Sequence, residues 1–171
     1  MIPQSAKIAD FARPFFTKGR PWIDAITALM KHLHQTFSFD PAATHVATKV
    51  ETVLVQKRGV CQDFAHLSIA ALRSIGLPAR YVSGYLETLP PPGQAKLTGA
   101  DASHAWVSAF LPDFGWIDLD PTNNLFPSSQ NVTVAFERDF QDVSPVRGIL
   151  VGAGNHQLSV SVDVHPLTPE T

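Results

Sequence analysis

Cys61 is the only cysteine in the 171 residues of this chain. It follows Arg58-Gly59-Val60 and precedes Gln62-Asp63-Phe64-Ala65-His66-Leu67. From Phe64 onward the apolar residues Phe64, Leu67, Ile69, Ala70, Ala71, Leu72 and Ile75 recur at helical spacing, and Gly76 with Pro78 supplies a stop. The spacing predicts a helix with Cys61 at its N-terminus. First-turn N–H groups have no intrahelical partner and the macrodipole adds roughly half a positive charge, so a helix start favours a thiolate. A cysteine so placed is a candidate nucleophile near neutral pH.

A histidine and two carboxylates lie on the strands that would have to meet it. Ser103–Leu111 and Trp116–Asn124 flank the turn Pro112-Asp113-Phe114-Gly115, and both alternate. Ala105, Val107, Ala109 and Leu111 with Ile117 and Leu119 make an aliphatic face; His104, Trp106, Ser108 and Phe110 with Trp116, Asp118 and Asp120 make the other. If the strands form a hairpin, His104 and Asp120 share a face only when paired residue numbers add to an even sum, as with a three- or five-residue loop or a bulge. A plain four-residue loop over 112–115 would set His104 opposite Asn123 and turn Asp120 away. The chemistry thus makes a geometric demand on the turn.

If the demand is met, His104 takes the proton of Cys61 and returns it to a leaving amine, while Asp120 fixes the imidazole tautomer and stabilises the imidazolium. Asp118, one pleat earlier on the same face, is the alternative carboxylate. The Cys61 backbone N–H is placed to donate to a developing oxyanion, with Trp106, Trp116 or Gln62 as candidate second donors. Asp63 and His66, one turn apart on the Cys61 helix, read as supporting residues or as a pair. With Cys61 they would supply three mixed ligands and no fourth, and His32 and His34, two positions apart on a helix, point in different directions. We expect neither a metal nor a cofactor.

These residues need a scaffold. Residues 1–20 read as a lead-in packed through Phe11, Phe15 and Phe16; Pro21 opens a helix whose apolar face is Trp22, Ile26, Leu29, Met30, Leu33 and Phe37, ended by Asp40-Pro41. A short helix over roughly 48–57 turns Val50, Val53 and Leu54 inward. Ala79–Leu86 has strand composition, with Arg80 making a hydrogen bond near its start. The stretch from Glu87 to Ser103, rich in Pro and Gly, is a long irregular loop and a candidate wall of a substrate cleft. Three further strands, over 131–136, 146–151 and 157–164, complete an antiparallel sheet, and His156 and His165 are read as solvated.

The composition fits one globular domain over 1–171, with 44% hydrophobic and 16% charged residues. A formal charge of −2, from 13 basic and 15 acidic residues with no basic run, argues against nucleic acid and anionic membranes as partners. The sequence has no stretch of 18 apolar residues and its N-terminus lacks a signal pattern, so a cytoplasmic protein with a reduced thiol is expected. Its oligomeric state is left open.

Four separated motifs carry a resemblance. Gly59-Val60-Cys61-Gln62-Asp63-Phe64-Ala65, Gly76 to Tyr85, Ser103-His104-Ala105-Trp106-Val107 and Gly115 to Asn123 resemble, in that order, the bacterial transglutaminase-like family, whose members are also described as cysteine proteases. The resemblance implies a papain-like α+β fold, N-terminal helices with the nucleophile helix packed on an antiparallel sheet. It also implies a Cys-His-Asp triad of Cys61, His104 and the aspartate before Pro-Thr-Asn, Asp120, and a protein or peptide substrate. The acidic clusters that bind calcium in animal transglutaminases are absent, so no calcium requirement is inferred. Three functional classes follow: a thioester-forming enzyme that hydrolyses an amide or transfers its acyl group to an amine, a catalytically silent peptide-binding domain of the same fold, and, disfavoured by ligand count, a metal-dependent hydrolase.

Overall fold

Ser5 opens the first helix, Ala6–Ala12 (α1), its hydroxyl accepting from the N–H of Ile8. The computed structural model describes residues 2, 5–90, 92–94, 96–99, 101–144, 148, 152 and 160–167. After a 3-10 turn at Arg13–Phe15, Pro21 leads into Trp22–Thr36 (α2). Ile8 and Ala12 of α1 and Ile26, Leu29, Met30 and Leu33 of α2 lie in one hydrophobic core. The expected lead-in therefore contributes core residues of its own. The helix stops at Thr36, short of Asp40-Pro41, because Ser38–Phe39 (β1) pairs in parallel with Arg58–Gly59 (β2). Between them Val50–Gln56 (α3) buries Val50 and Val53, and Lys57, in a left-handed conformation at φ 54°, turns the chain into β2.

Cys61–Ser74 (α4) runs through the middle of the molecule. Phe64, Ala65, Leu67, Ile69, Ala70, Ala71 and Leu72 are each no more than 4% exposed, because α1, α2 and α3 touch the helix and so do strands of the sheet. A helix covered on several sides must be apolar over most of its circumference. The sheet is antiparallel and four-stranded among the described residues, in the order β5-β4-β3-β6: Ala79–Leu86 (β3), Ala102–Leu111 (β4), Gly115–Leu119 (β5) and Asn131–Glu137 (β6). Tyr81, Ala105, Val107, Ala109, Leu111 and Leu119 face the helices as part of the core.

The opposite face is partly covered by its own side chains. Trp106 is fully buried, its ring lying so close over Gly84 that a Cβ there would stand 2.4 Å from the indole and 2.2 Å from the carbonyl oxygen of Val132. Further along, the Arg80 guanidinium lies between Trp116 and Phe136, 4.1 and 3.8 Å from their ring centres. The hydrogen bond expected of Arg80 is replaced by this stacking: its buried Nε has no hydrogen-bond partner.

The irregular stretch after β3 is tied at Asp101. Its fully buried carboxylate accepts from Lys96 Nζ at 2.7 Å and from the N–H groups of Thr88 and Val164 at 2.5 and 2.6 Å. Burial alone would raise its pKa, but these donors hold it well below the usual carboxylate range. The strand expected over 146–151 lies outside the described residues save for Gly148, as does His156. Of the strand expected over 157–164, the described part makes a single bridge, Val162 to Asp101, and His165 is exposed.

Candidate active site

Asp63 accounts for where α4 begins. Its carboxylate, 4% exposed, accepts the Val60 N–H at 2.8 Å and the Thr44 hydroxyl at 2.6 Å, which makes Cys61 the first helical residue. Gly59 lies against that carboxylate, and a Cβ there would stand 2.7 Å from Oδ2. Asp63 therefore serves its own helix start. His66 has a different partner, accepting the Phe140 N–H through Nε2 at 3.2 Å with its ring 5.1 Å from Tyr81. Burial lowers its pKa to about 4, against the opposing pull of Asp139 and Asp63, so the ring is neutral. Among the described residues no group of three or more His, Cys, Asp and Glu side chains is placed to hold a metal.

The turn meets its geometric demand. Val107 pairs with Leu119, Ser108 with Asp118 and Leu111 with Gly115, an even sum that leaves a three-residue loop with Asp113 at φ 71°. His104 and Asp120 consequently meet, with Nε2 2.7 Å from Oδ2. The imidazole is 8% exposed and the carboxylate not at all. A buried carboxylate must be satisfied by hydrogen bonds, and this one is. Oδ1 accepts from the N–H groups of Thr122 and Asn123 at 3.0 and 3.1 Å, and Oδ2 accepts from the Asn123 side-chain amide at 2.8 Å.

Cys61 lies near enough to His104 to act on the charge of its ring. Burial is the strongest influence on the ring and disfavours its charge. The hydrogen bond to Asp120, together with the nearby Asp120 and Cys61 charges, outweighs it, and the pKa rises to about 9. With Nε2 committed to Asp120, Nδ1 is the nitrogen left for sulfur. Of the three residues singled out from the sequence, His104 and Asp120 are in direct contact, and Cys61 stands close enough to influence the ring.

The structure separates them from the alternatives. Asp118 accepts the indole N–H of Trp106 at 3.1 Å, so that carboxylate and that donor are engaged with each other. Trp116 pairs with Phe110, six residues along β4 from His104. Of the three suggested second donors only Gln62 stands next to Cys61, in the first turn of α4. Two contacts had no signal in the sequence: the Asn123 amide on Asp120, and Nδ1 of His34 at 2.8 Å from the carbonyl oxygen of Thr122. A cavity of about 630 Å³ lies elsewhere, lined by residues 46–51, His66 and 139–141 with Ile2; Cys61, His104 and Asp120 do not line it.

Comparison with known proteins places the chain in a family. The sequence profile of the transglutaminase-like superfamily matches residues 9–121. The chain belongs to that superfamily. Among its relatives, an uncharacterized protein of Mycobacterium tuberculosis is 42% identical over 164 residues, 93% of this chain and 52% of that protein. A protein-glutamine gamma-glutamyltransferase of Pseudomonas aeruginosa is 29% identical over 126 residues, 73% of this chain and 19% of that enzyme. Of the similar solved structures, one described as a candidate cysteine protease of Cytophaga hutchinsonii has a TM-score of 0.67 at 30% identity, covering 81% of this chain and 44% of that one. The periplasmic domain of TgpA from Pseudomonas aeruginosa has a TM-score of 0.55 at 25% identity, covering 72% and 44%. This chain therefore spans about half the length of the mycobacterial relative and of these structures. Among the described residues no helix is long and apolar enough to cross a membrane.

Proposed function

We propose that this chain is a cysteine-dependent acyl-transfer enzyme acting on a peptide or side-chain amide of a protein, with Cys61 as nucleophile, His104 as acid and base, and Asp120 as the carboxylate that orients the ring. One observation carries the reading: the His104 imidazole meets Asp120 at 2.7 Å, and Cys61, at the first position of α4, is near enough to act on the same ring.

In the proposed reaction the sulfur attacks the amide carbonyl carbon and the oxyanion takes a hydrogen bond from the Cys61 N–H, with Gln62 as the second donor. The C–N bond then breaks, and His104 gives the leaving amine its proton. The thioester is resolved by water, which makes the protein a peptidase or amidase, or by a second amine, which makes it a transglutaminase; His104 accepts the attacking group's proton in either case. Water access to the acyl-enzyme decides between them. The names of the Pseudomonas and Cytophaga relatives support one outcome each.

The proposed compartment is the cytoplasm, on the strength of the lone cysteine. TgpA's similar domain is periplasmic, and cell fractionation distinguishes the two. The function is tested by iodoacetamide labelling across pH on the wild type and on His104→Ala. Rapid labelling at neutral pH that His104→Ala loses supports it. Labelling only above pH 8 in both would leave a catalytically silent peptide-binding domain. Incubation with a glutamine peptide, with and without an amine acceptor, then separates transfer from hydrolysis by mass.

A further inference from the structure

Asp120 belongs to a short loop, and that loop is fastened to α2. Leu119 and Pro121 share a small apolar gap with Ile26, Leu29 and Met30 of α2, and one turn beyond Met30 the helix presents His34. Nδ1 of His34 is 2.8 Å from the carbonyl oxygen of Thr122. A carbonyl oxygen only accepts, so Nδ1 carries the hydrogen whether the ring is neutral or charged.

The same peptide group has a second attachment. Its N–H, on Asn123, donates to Oδ1 of Asp120 at 3.1 Å. One rigid plane is therefore held at both ends, its oxygen by α2 and its hydrogen by the carboxylate, whose other oxygen faces His104. The His34 residue is exposed and follows the buried Leu33, so its ring is not there to fill the core. What it supplies at this place is a directed donor.

We propose that His34 is a positioning residue for the triad, fixing the rotation of the Thr122–Asn123 peptide plane and, through it, the direction in which Asp120 meets His104. This rests on the reading of Cys61, His104 and Asp120 as the catalytic centre. His34 touches none of the three side chains; it acts through the loop. A residue that merely pinned the loop to the helix would change stability and leave the chemistry of the ring untouched.

The test compares wild type, His34→Ala, His34→Asn and His104→Ala in the full chain. The readouts are the iodoacetamide labelling rate of Cys61 at pH 7, the NMR titration of the His104 ring, and thermal unfolding. Loosening the carboxylate is expected to slow labelling about tenfold in His34→Ala and to move the His104 titration to lower pH. Asparagine carries an N–H donor three bonds from Cα, as Nδ1 is, and is expected to restore both. Wild-type labelling and titration in His34→Ala, or a His34→Asn that behaves as His34→Ala, would overturn the proposal. His104→Ala separates the two failures: if it labels as the wild type does, the catalytic reading falls and the role of His34 with it. If His104→Ala is slow and His34→Ala is not, only the role of His34 falls.

Discussion

Nε2 of His104 stands 2.7 Å from Oδ2 of Asp120, so the nitrogen the ring can offer to Cys61 is Nδ1. The carboxylate thereby chooses the tautomer as well as the orientation. A neutral ring must carry its hydrogen on Nε2 to satisfy Asp120, leaving Nδ1 free to receive the thiol proton.

Replacing Asp120 by asparagine keeps the shape of that contact and removes its charge. We expect a loss of about 10²–10⁴-fold in amide turnover. The His104 titration, near 9 in the wild type, should move toward neutral pH. Ring NMR and steady-state rates on a glutamine peptide measure the two effects. Asn123→Ala, which removes a single donor from Oδ2, should give a smaller loss of the same kind.

The elevated pKa of His104 sets an alkaline limit. An unfolded histidine titrates near 6.5 and this folded one near 9, so protonation of the ring favours the folded state. That contribution is whole below pH 6.5 and is lost as pH rises through 9. Urea unfolding at pH 6, 8 and 10 should show the decline, and His104→Ala should flatten it. Amide turnover should fall over the same alkaline range.

His66 acts with the opposite sign. Its folded pKa of about 4 lies below the unfolded 6.5, so the fold favours the neutral ring, which accepts the Phe140 N–H. Stability should be intact above pH 6.5 and fall on the order of 3 kcal/mol as the pH drops through 4. Urea midpoints at pH 7, 5 and 4 measure it, and His66→Gln should lose that part of the acid sensitivity.

Gly84 leaves no room for a side chain. A Cβ there would meet the Val132 carbonyl oxygen at 2.2 Å and the Trp106 ring at 2.4 Å. Gly84→Ala should destabilise the protein by about 1–3 kcal/mol, read as a lower urea midpoint. Because Trp106 lies between His104 and Asp118, slower thiol labelling should accompany it.

Much of this arrangement could be read from the chain. The α4 stripe from Phe64 to Leu72 and the strict alternation of Ala105, Val107, Ala109 and Leu111 are period signals, and burial in the core followed them. The His104–Asp120 meeting was legible only as a condition, because pairing parity depends on a turn whose composition admits three or four residues. What escaped the sequence joins residues far apart with no periodicity to announce it. Thr122 and His34 are separated by 88 positions, and β1 and β2 by a helix, each pair meeting over one or two residues. Arg80 misled for a related reason: its donors suggested a hydrogen bond, whereas its stem lies on the face that carries Trp116 and Phe136.

The tight fit of Gly59 against Asp63 bears on how this chemistry is to be recognised in other chains. The acid two places after the cysteine sets where the helix starts, and the bare α-carbon two places before it makes room for that acid. A pattern of glycine, any residue, cysteine, any residue, aspartate is therefore a mechanical unit, more discriminating in a search than the cysteine by itself. A homologue that keeps the thiol but places a bulkier residue at the first position should have to begin its helix differently, and its sulfur would then face another direction.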